Sequence, residues 1–315
     1  MRVVVALGGN ALLRRGDRPD AAVQQANVRA AVAALAPLAR RHELVITHGN
    51  GPQVGLLALQ SAADKSLTSP YPFDVLGAET QGMIGYWLLQ SLQNALPDRQ
   101  VCALLNQTLV SAADPAFAAP AKFVGPVYAR EEAERLAAAR GWTVGPDGTH
   151  WRRVVPSPHP QRVVETRLIR LLLTSGAVAV CAGGGGVPVI RDDQGRLTGV
   201  EAVVDKDLTA ALLAEALDAD ALLLLTDVPR VQRGFGTPDA EEIGHTSPAR
   251  LRAEEFPAGS MGPKVEAVCR FVELTGGMAA IGALADAAAL LDGTAGTVVT
   301  PSGRWSVNEP HREPR

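Results

Sequence analysis

Lysine is the scarce charge of this 315-residue chain. Of 30 basic residues only four are lysine, at positions 65, 122, 206 and 264, and the other 26 are arginine. Cysteine is almost missing. Cys102, Cys181 and Cys269 lie far apart, form no C-x-x-C and cannot all pair. That excludes a disulfide framework and points to a reduced compartment. An excess of positive charge is also missing: the net charge is −3. No basic field therefore speaks for nucleic acid or an anionic membrane as partner. No apolar run reaches the length of a membrane span. The opening Met1-Arg-Val-Val-Val-Ala-Leu7 is too short for a secretion signal and reads as a first strand. A cytoplasmic protein is expected.

The familiar catalytic signatures are lacking as well. No segment fits G-x-x-x-x-G-K-[ST], H-E-x-x-H or G-x-S-x-G, and Gly49-Asn-Gly51-Pro-Gln-Val-Gly55 misses G-x-G-x-x-G by one residue. The six histidines show no ligand spacing, so no tightly bound transition metal is expected.

What is present is a rhythm of short apolar runs ending in glycine. Val3 to Leu7 ends in Gly8-Gly9-Asn10, and Leu44 to His48 ends in Gly49-Asn50-Gly51. Val178 to Ala182 ends in Gly183-Gly184-Gly185-Gly186, and Ala221 to Leu225 ends in Thr226-Asp227-Val228. Helical periodicity predicts helices over 21–40, 54–63, within 74–95, and over 165–175, 205–217, 264–275 and 284–292. Strands are also predicted over 101–110, 278–283 and 296–300, with a hairpin from 187–190 to 197–204. Residues 229–247 read as a polar loop. Prolines at 115, 120, 126, 146, 156, 158 and 160 mark residues 111–160 as an excursion from the main rhythm, and Pro301 to Arg315 reads as a loose tail.

Alternating strands and helices predict a mostly parallel sheet covered on both faces, with ligands beyond the carboxyl ends of its strands. Four consecutive glycines are unfavourable unless backbone must lie close to something, and after a strand a phosphate chain fits. Three of the four lysines fall in glycine- or proline-marked stretches. Compact cations beside phosphate-ready loops fit phosphoryl transfer, which needs positioned charge and Mg²⁺ more than covalent chemistry.

Several long motifs resemble carbamate kinase. They are Gly8-Gly9-Asn10-Ala11-Leu12, Thr47-His-Gly-Asn-Gly-Pro-Gln-Val-Gly55, Thr80-Gln-Gly-Met-Ile-Gly-Tyr-Trp87, Arg153-Val-Val-Pro-Ser-Pro158, Gly183-Gly-Gly-Gly-Val-Pro-Val189, Val204-Asp-Lys-Asp207 and Gly259-Ser-Met-Gly-Pro-Lys264. The resemblance runs in order from residue 2 to about 300.

The resemblance implies the amino-acid kinase fold, an open αβα sandwich with a mostly parallel central sheet and a small protruding lid. It implies one domain over 1–300. An N-lobe of about 1–175 would take carbamate, a C-lobe of about 176–300 would take the nucleotide, and the lid would span about 111–160. It also implies ATP or ADP as co-substrate, Mg²⁺, a homodimer, and a role in arginine breakdown running toward ATP. By the same resemblance Gly183, Gly184, Gly185, Gly186, Lys206 and Lys264 hold the phosphates. Thr226, Asp227, Val228, Met261 and Pro263 belong to the nucleotide side. Asp207 orients the lysines and works with Mg²⁺, directly or through water. Gly8, Gly9 and Asn10 approach the transferred group, Gly49, Asn50 and Gly51 hold carbamate, and Lys122 reaches over it. Two other readings remain open at this point: a sister kinase acting on a carboxylate, and a non-catalytic nucleotide-binding protein.

Overall fold

The computed structural model describes residues 1–14, 16–256 and 261–303. From the N-terminus run β1 (Arg2–Leu7), α1 (Ala21–Arg41), β2 (Glu43–His48), α2 (Gly51–Ala63), α3 (Phe73–Ala95), β3 (Val101–Ala103) and β4 (Gln107–Val110). Next come β5 (Lys122–Tyr128), α4 (Arg130–Arg140), β6 (Thr143–Asp147), β7 (His150–Val155), β8 (Pro160–Val163) and α5 (Thr166–Thr174). They are followed by β9 (Val178–Val180), β10 (Val187–Arg191), β11 (Leu197–Gly199), α6 (Lys206–Ala216), β12 (Ala221–Thr226), β13 (Val231–Arg233) and β14 (Glu241–Ile243). β15 (His245–Thr246), α7 (Pro248–Arg252), α8 (Met261–Thr275), β16 (Met278–Ala283), α9 (Ala287–Leu291) and β17 (Thr297–Val299) complete the series.

Eight strands form the central sheet in the order β15-β17-β16-β12-β1-β2-β9-β3. Every pairing in it is parallel except β16 with β17. β1 shows why. Val3, Val4, Val5, Ala6 and Leu7 are all fully buried, as a strand covered on both faces requires. Alternation then sends Val3, Val5 and Leu7 into a core with Val28 and Leu35 of α1 and Ile84 and Leu88 of α3. Val4 and Ala6 enter a second core with Leu213 of α6 and Val268 and Phe271 of α8. Two cores on two faces make the expected αβα sandwich.

Besides the two-stranded β13-β14 sheet, two smaller sheets flank it. One has the order β11-β10-β4-β8; the other is β5-β7-β6, antiparallel and accompanied by α4. The second lies against α2 with backbone on backbone. A Cβ built on Gly55 would sit 2.2 Å from the Cα of Gly125, which has φ +73° at a break in strand register. It is tied to the body again at Arg153. The Arg153 guanidinium lies 4.7 Å from the ring centres of both Phe73 and Trp142, and 3.7 Å from the Glu201 carboxylate.

The structure corrects several sequence expectations. The strand expected over 101–110 is two strands in two sheets. Asn106 interrupts it: its N–H donates to Gln81 Oε1 at 2.8 Å, and its carbonyl accepts from Gln81 Nε2 and from the Val187 N–H. The polar loop over 229–247 contains β13, β14 and β15, because Val231 and Ile243 pair and turn inward. The hairpin strand over 197–204 stops at Gly199. α2 begins at Gly51, with Pro52 in its first turn where a missing N–H costs nothing. The helix over 284–292 is a 3₁₀ turn, Leu284–Asp286, followed by α9. Of the tail, residues 304–315 lie outside the described residues, as do Gly259 and Ser260.

Candidate active site

β12, β1, β2 and β9 are neighbours running the same way, so their carboxyl ends share one rim. Thr226-Asp227, Gly8-Gly9-Asn10, His48-Gly49-Asn50 and the four glycines all collect there. Close approach is what the glycines permit, though not only toward a ligand. Gly183 to Gly186 are buried. A Cβ on Gly183 would lie 2.3 Å from His48 Nε2, one on Gly184 2.2 Å from Asn50 Nδ2, and one on Gly186 2.1 Å from Thr108 Oγ1. Gly184, Gly185 and Gly186 also have φ of +64°, +88° and +86°. This run is an ordered floor, and its own neighbours demand glycine. Thr108 and Thr209 hydroxyls both donate to the Gly185 carbonyl, at 2.7 and 3.0 Å.

The loops lock one another. The Asn50 amide donates to Thr80 Oγ1 at 2.8 Å, which fixes the loop after β2 to α3. His48 lies under Gly183 with Nδ1 3.1 Å from the Gly49 carbonyl. Burial pushes the His48 imidazole down to about 4, and the nearby Lys206 ammonium acts in the same direction. His48 is therefore neutral near pH 7, with Nδ1–H as the donor to that carbonyl. Ala182, at φ +51°, donates its N–H to Asn106 Oδ1 at 3.0 Å. Asn106 in turn is held by Gln81 and by Glu165.

The lysines meet at the start of α6. Asp205 is its N-cap: Oδ1 accepts from the N–H groups of Asp207 at 2.9 Å and Leu208 at 3.3 Å. Lys206 and Asp207 stand in the first turn. Asp207 is 4% exposed, and its two oxygens accept from two lysines: Oδ1 from Lys206, and Oδ2 from Lys264 at 2.7 Å. Burial alone would raise the Asp207 carboxyl. The two ammonium groups outweigh it and hold Asp207 well below the usual carboxylate range. Burial lowers Lys206 despite Asp207. Lys264 is raised, because Asp207, Asp205 and Asp227 outweigh its burial. Lys122, the first residue of β5, donates to Asp205 Oδ2 at 2.5 Å.

All three of these lysines thus join one carboxylate pair, although they sit on regular elements rather than in loops. Lys65 lies apart on an exposed turn. Asn10 donates to Asp227 Oδ2 at 2.9 Å, and the Thr226 hydroxyl donates to Asp227 Oδ1 at 3.0 Å. These bonds outweigh burial and keep Asp227 ionised below the ordinary range. Gly49 packs on Gly9 and on the Lys206 stem. Gly51, Val228, Met261 and Pro263 adjoin this group along the chain. Met261 packs on the α6–α8 core. Sequence reasoning gave no role to His48, Thr108 or Asp205. Asp205 carried a legible signal, an aspartate just before a helix. His48 and Thr108 carried none, since their function is to fit under glycines distant in sequence.

Residues 1–281 match the model of the amino acid kinase family. The chain is 53% identical to the carbamate kinase of Rhizobium meliloti (strain 1021), over 98% of this chain and 97% of that protein. It is 51% identical to the carbamate kinase of Haemophilus influenzae, over 95% and 97%. Among solved structures, the carbamate kinase of Giardia lamblia bound to AMP-PNP superimposes with a TM-score of 0.85 at 37% identity, covering 95% of this chain and 98% of that one. The chain belongs to the amino acid kinase family, in its carbamate kinase branch.

Proposed function

We propose that the protein moves a phosphoryl group reversibly between ATP and carbamate, giving ADP and carbamoyl phosphate. The observation that carries this reading is the Lys206–Asp207–Lys264 bridge on a rim of glycine loops, in a chain so close to carbamate kinases. A carbamate oxygen attacks the γ-phosphorus of ATP, and the bond to the β-phosphate oxygen breaks. Reversal forms ATP. No protein nucleophile is needed.

The residues divide the task. Lys206 and Lys264 neutralise charge on the moving group, and Asp207 holds both ammonium groups in register. Gly8, Gly9 and Asn10 face the transferred phosphoryl. Gly49, Asn50 and Gly51 take carbamate, with Lys122 above it. Gly183 to Gly186, Thr226, Asp227, Val228, Met261 and Pro263 serve the nucleotide. In this reading residues about 1–175 form the acceptor half, about 176–300 the nucleotide half, and about 111–160 a lid.

Among the described residues no cluster of three His, Cys, Asp or Glu could hold a metal. That fits Mg²⁺ arriving on the nucleotide, since Mg²⁺ keeps waters and takes one or two carboxylates plus phosphates. Both Asp207 oxygens accept from lysines, so its contact with the ion would run through water. Bound Mg²⁺ supplies further charge neutralisation at the phosphates.

The ATP-forming direction in arginine breakdown and a cytoplasmic setting rest on the resemblance to carbamate kinases. A homodimer has that support and one structural hint. β3 ends the central sheet, and Tyr86 and Leu105 beside it are 54% and 57% exposed. The test of the activity is ATP formation from ADP, carbamoyl phosphate and Mg²⁺. Purified, folded protein that yields no ATP sinks the reading.

A further inference from the structure

Asp205 serves two elements at once. Its Oδ1 is committed to the backbone of α6, while among the described residues its Oδ2 accepts from the Lys122 ammonium alone, at 2.5 Å. The Asp205 side chain is 10% exposed and that of Lys122 is 35% exposed. The pair therefore joins a fixed group to a more accessible one. Asp205 directly precedes Lys206 and Asp207, so the β5-β7-β6 unit is tied to the same helical turn that carries the phosphoryl-handling charges. The second tie, Gly125 on Gly55, brings this unit against α2, whose first residue is Gly51.

We propose that Asp205 is a positioning residue. It holds the Lys122 ammonium over the acceptor side of the site with one oxygen while the other caps α6. Lys122 is the group that touches substrate; Asp205 acts through it. The division of labour between the two oxygens matters. When an incoming anion draws the ammonium away, the cap is untouched, and Lys206 and Asp207 stay in place. The carbamate anion, or the phosphate-borne charge of carbamoyl phosphate, thus finds a lysine that is already ordered, which lowers the entropy lost on binding. This inference rests on the proposed reaction for its kinetic part only; the contact itself can be read without turnover.

Asp205→Asn separates the two roles. Asparagine caps a helix about as well as aspartate but brings no charge. In ATP formation, Asp205→Asn should raise the KM for carbamoyl phosphate about three- to fivefold, the upper end of what one partly exposed ion pair contributes. The KM for ADP should stay within about twofold. In a Lys122→Ala background the same substitution should add nothing. An unchanged KM for carbamoyl phosphate in Asp205→Asn, or penalties that multiply in the double variant, would overturn the proposal. Asp205→Ala, which also removes the cap, should lower the melting temperature where Asp205→Asn does not.

With only four lysines in the chain, amine acetylation followed by mass spectrometry reads the contact directly. Lys122 should label several-fold faster in Asp205→Asn, with Lys65 unchanged as internal control. Equal Lys122 labelling in both proteins refutes the contact. Faster Lys122 labelling in Asp205→Asn, together with a wild-type protein that makes no ATP, would leave the contact standing and fault the reaction instead.

Discussion

The two rims of the central sheet use their charges in different ways. At the carboxyl rim, lysines bond to carboxylates: Lys122 to Asp205, Lys206 and Lys264 to Asp207. At the amino rim lies an open basin of about 810 Å³, and its cations are arginines. Arg2 pairs with the Glu43 carboxylate, and the arginine forks also reach carbonyls. Arg99 reaches Ala39 O at 2.6 Å and Gly176 O at 3.1 Å, Arg40 reaches Ala95 O at 3.0 Å, and Arg2 reaches Leu217 O. Topology explains the split. In a parallel sheet with helical crossovers, helices end where strands begin, so orphan carbonyls gather at one rim and orphan N–H groups at the other. Arginine closes the first set permanently. The second set, with lysines on exchangeable carboxylate partners, suits an incoming anion. The basin's arginine bonds close helix ends, and the rim proposed for function is the one whose charges can change partners.

The largest effect that would break this contrast is at Lys264. Lys264→Ala should lower kcat about 10²–10³-fold with little change in melting temperature. A variant retaining full kcat would mean that the carboxyl rim is as structural as the amino rim.

His48 gives the next test. Its folded value, about 4, lies below the value of about 6.5 in an unfolded chain. As pH falls, the unfolded state takes the proton first. The stability that neutral His48 contributes is full above about pH 6.5 and is lost between there and about pH 4. The loss reaches about 3 kcal/mol in the limit of complete burial. His48→Gln should flatten the slope of denaturation free energy over that window. An equally steep slope in the variant would remove His48 as the source.

The smallest effect belongs to the amino rim. Arg99→Ala should cost about 1 kcal/mol of stability and leave kcat and both KM values unaltered. A kinetic change would give the basin a role beyond structure.

What the sequence made legible follows the same division. Val3 to Leu7, Leu44 to His48 and Ala221 to Leu225 are largely apolar runs whose burial is dictated by two covered faces, and they sit where the sequence pattern placed them. Lys206 and Lys264 stood out by scarcity and do converge on Asp207. The break at Asn106 was illegible, because a largely apolar stretch does not reveal that Gln81 will capture one of its three polar residues. The glycines were legible as close approach but not as to what approaches. His48, Asn50 and Thr108 press on them from strands and loops that only the fold brings near.

The seat of Gly125 on Gly55 has a mechanical meaning. Most helices and strands meet through side chains, which yield by changing rotamer. Here two main chains touch with nothing compressible between them, and Gly125 lies three residues along β5 from Lys122. Such a joint has no slack. A displacement of α2 would pass to the strand that carries Lys122, so in the proposed reading the loop that takes carbamate and the lysine above it move together.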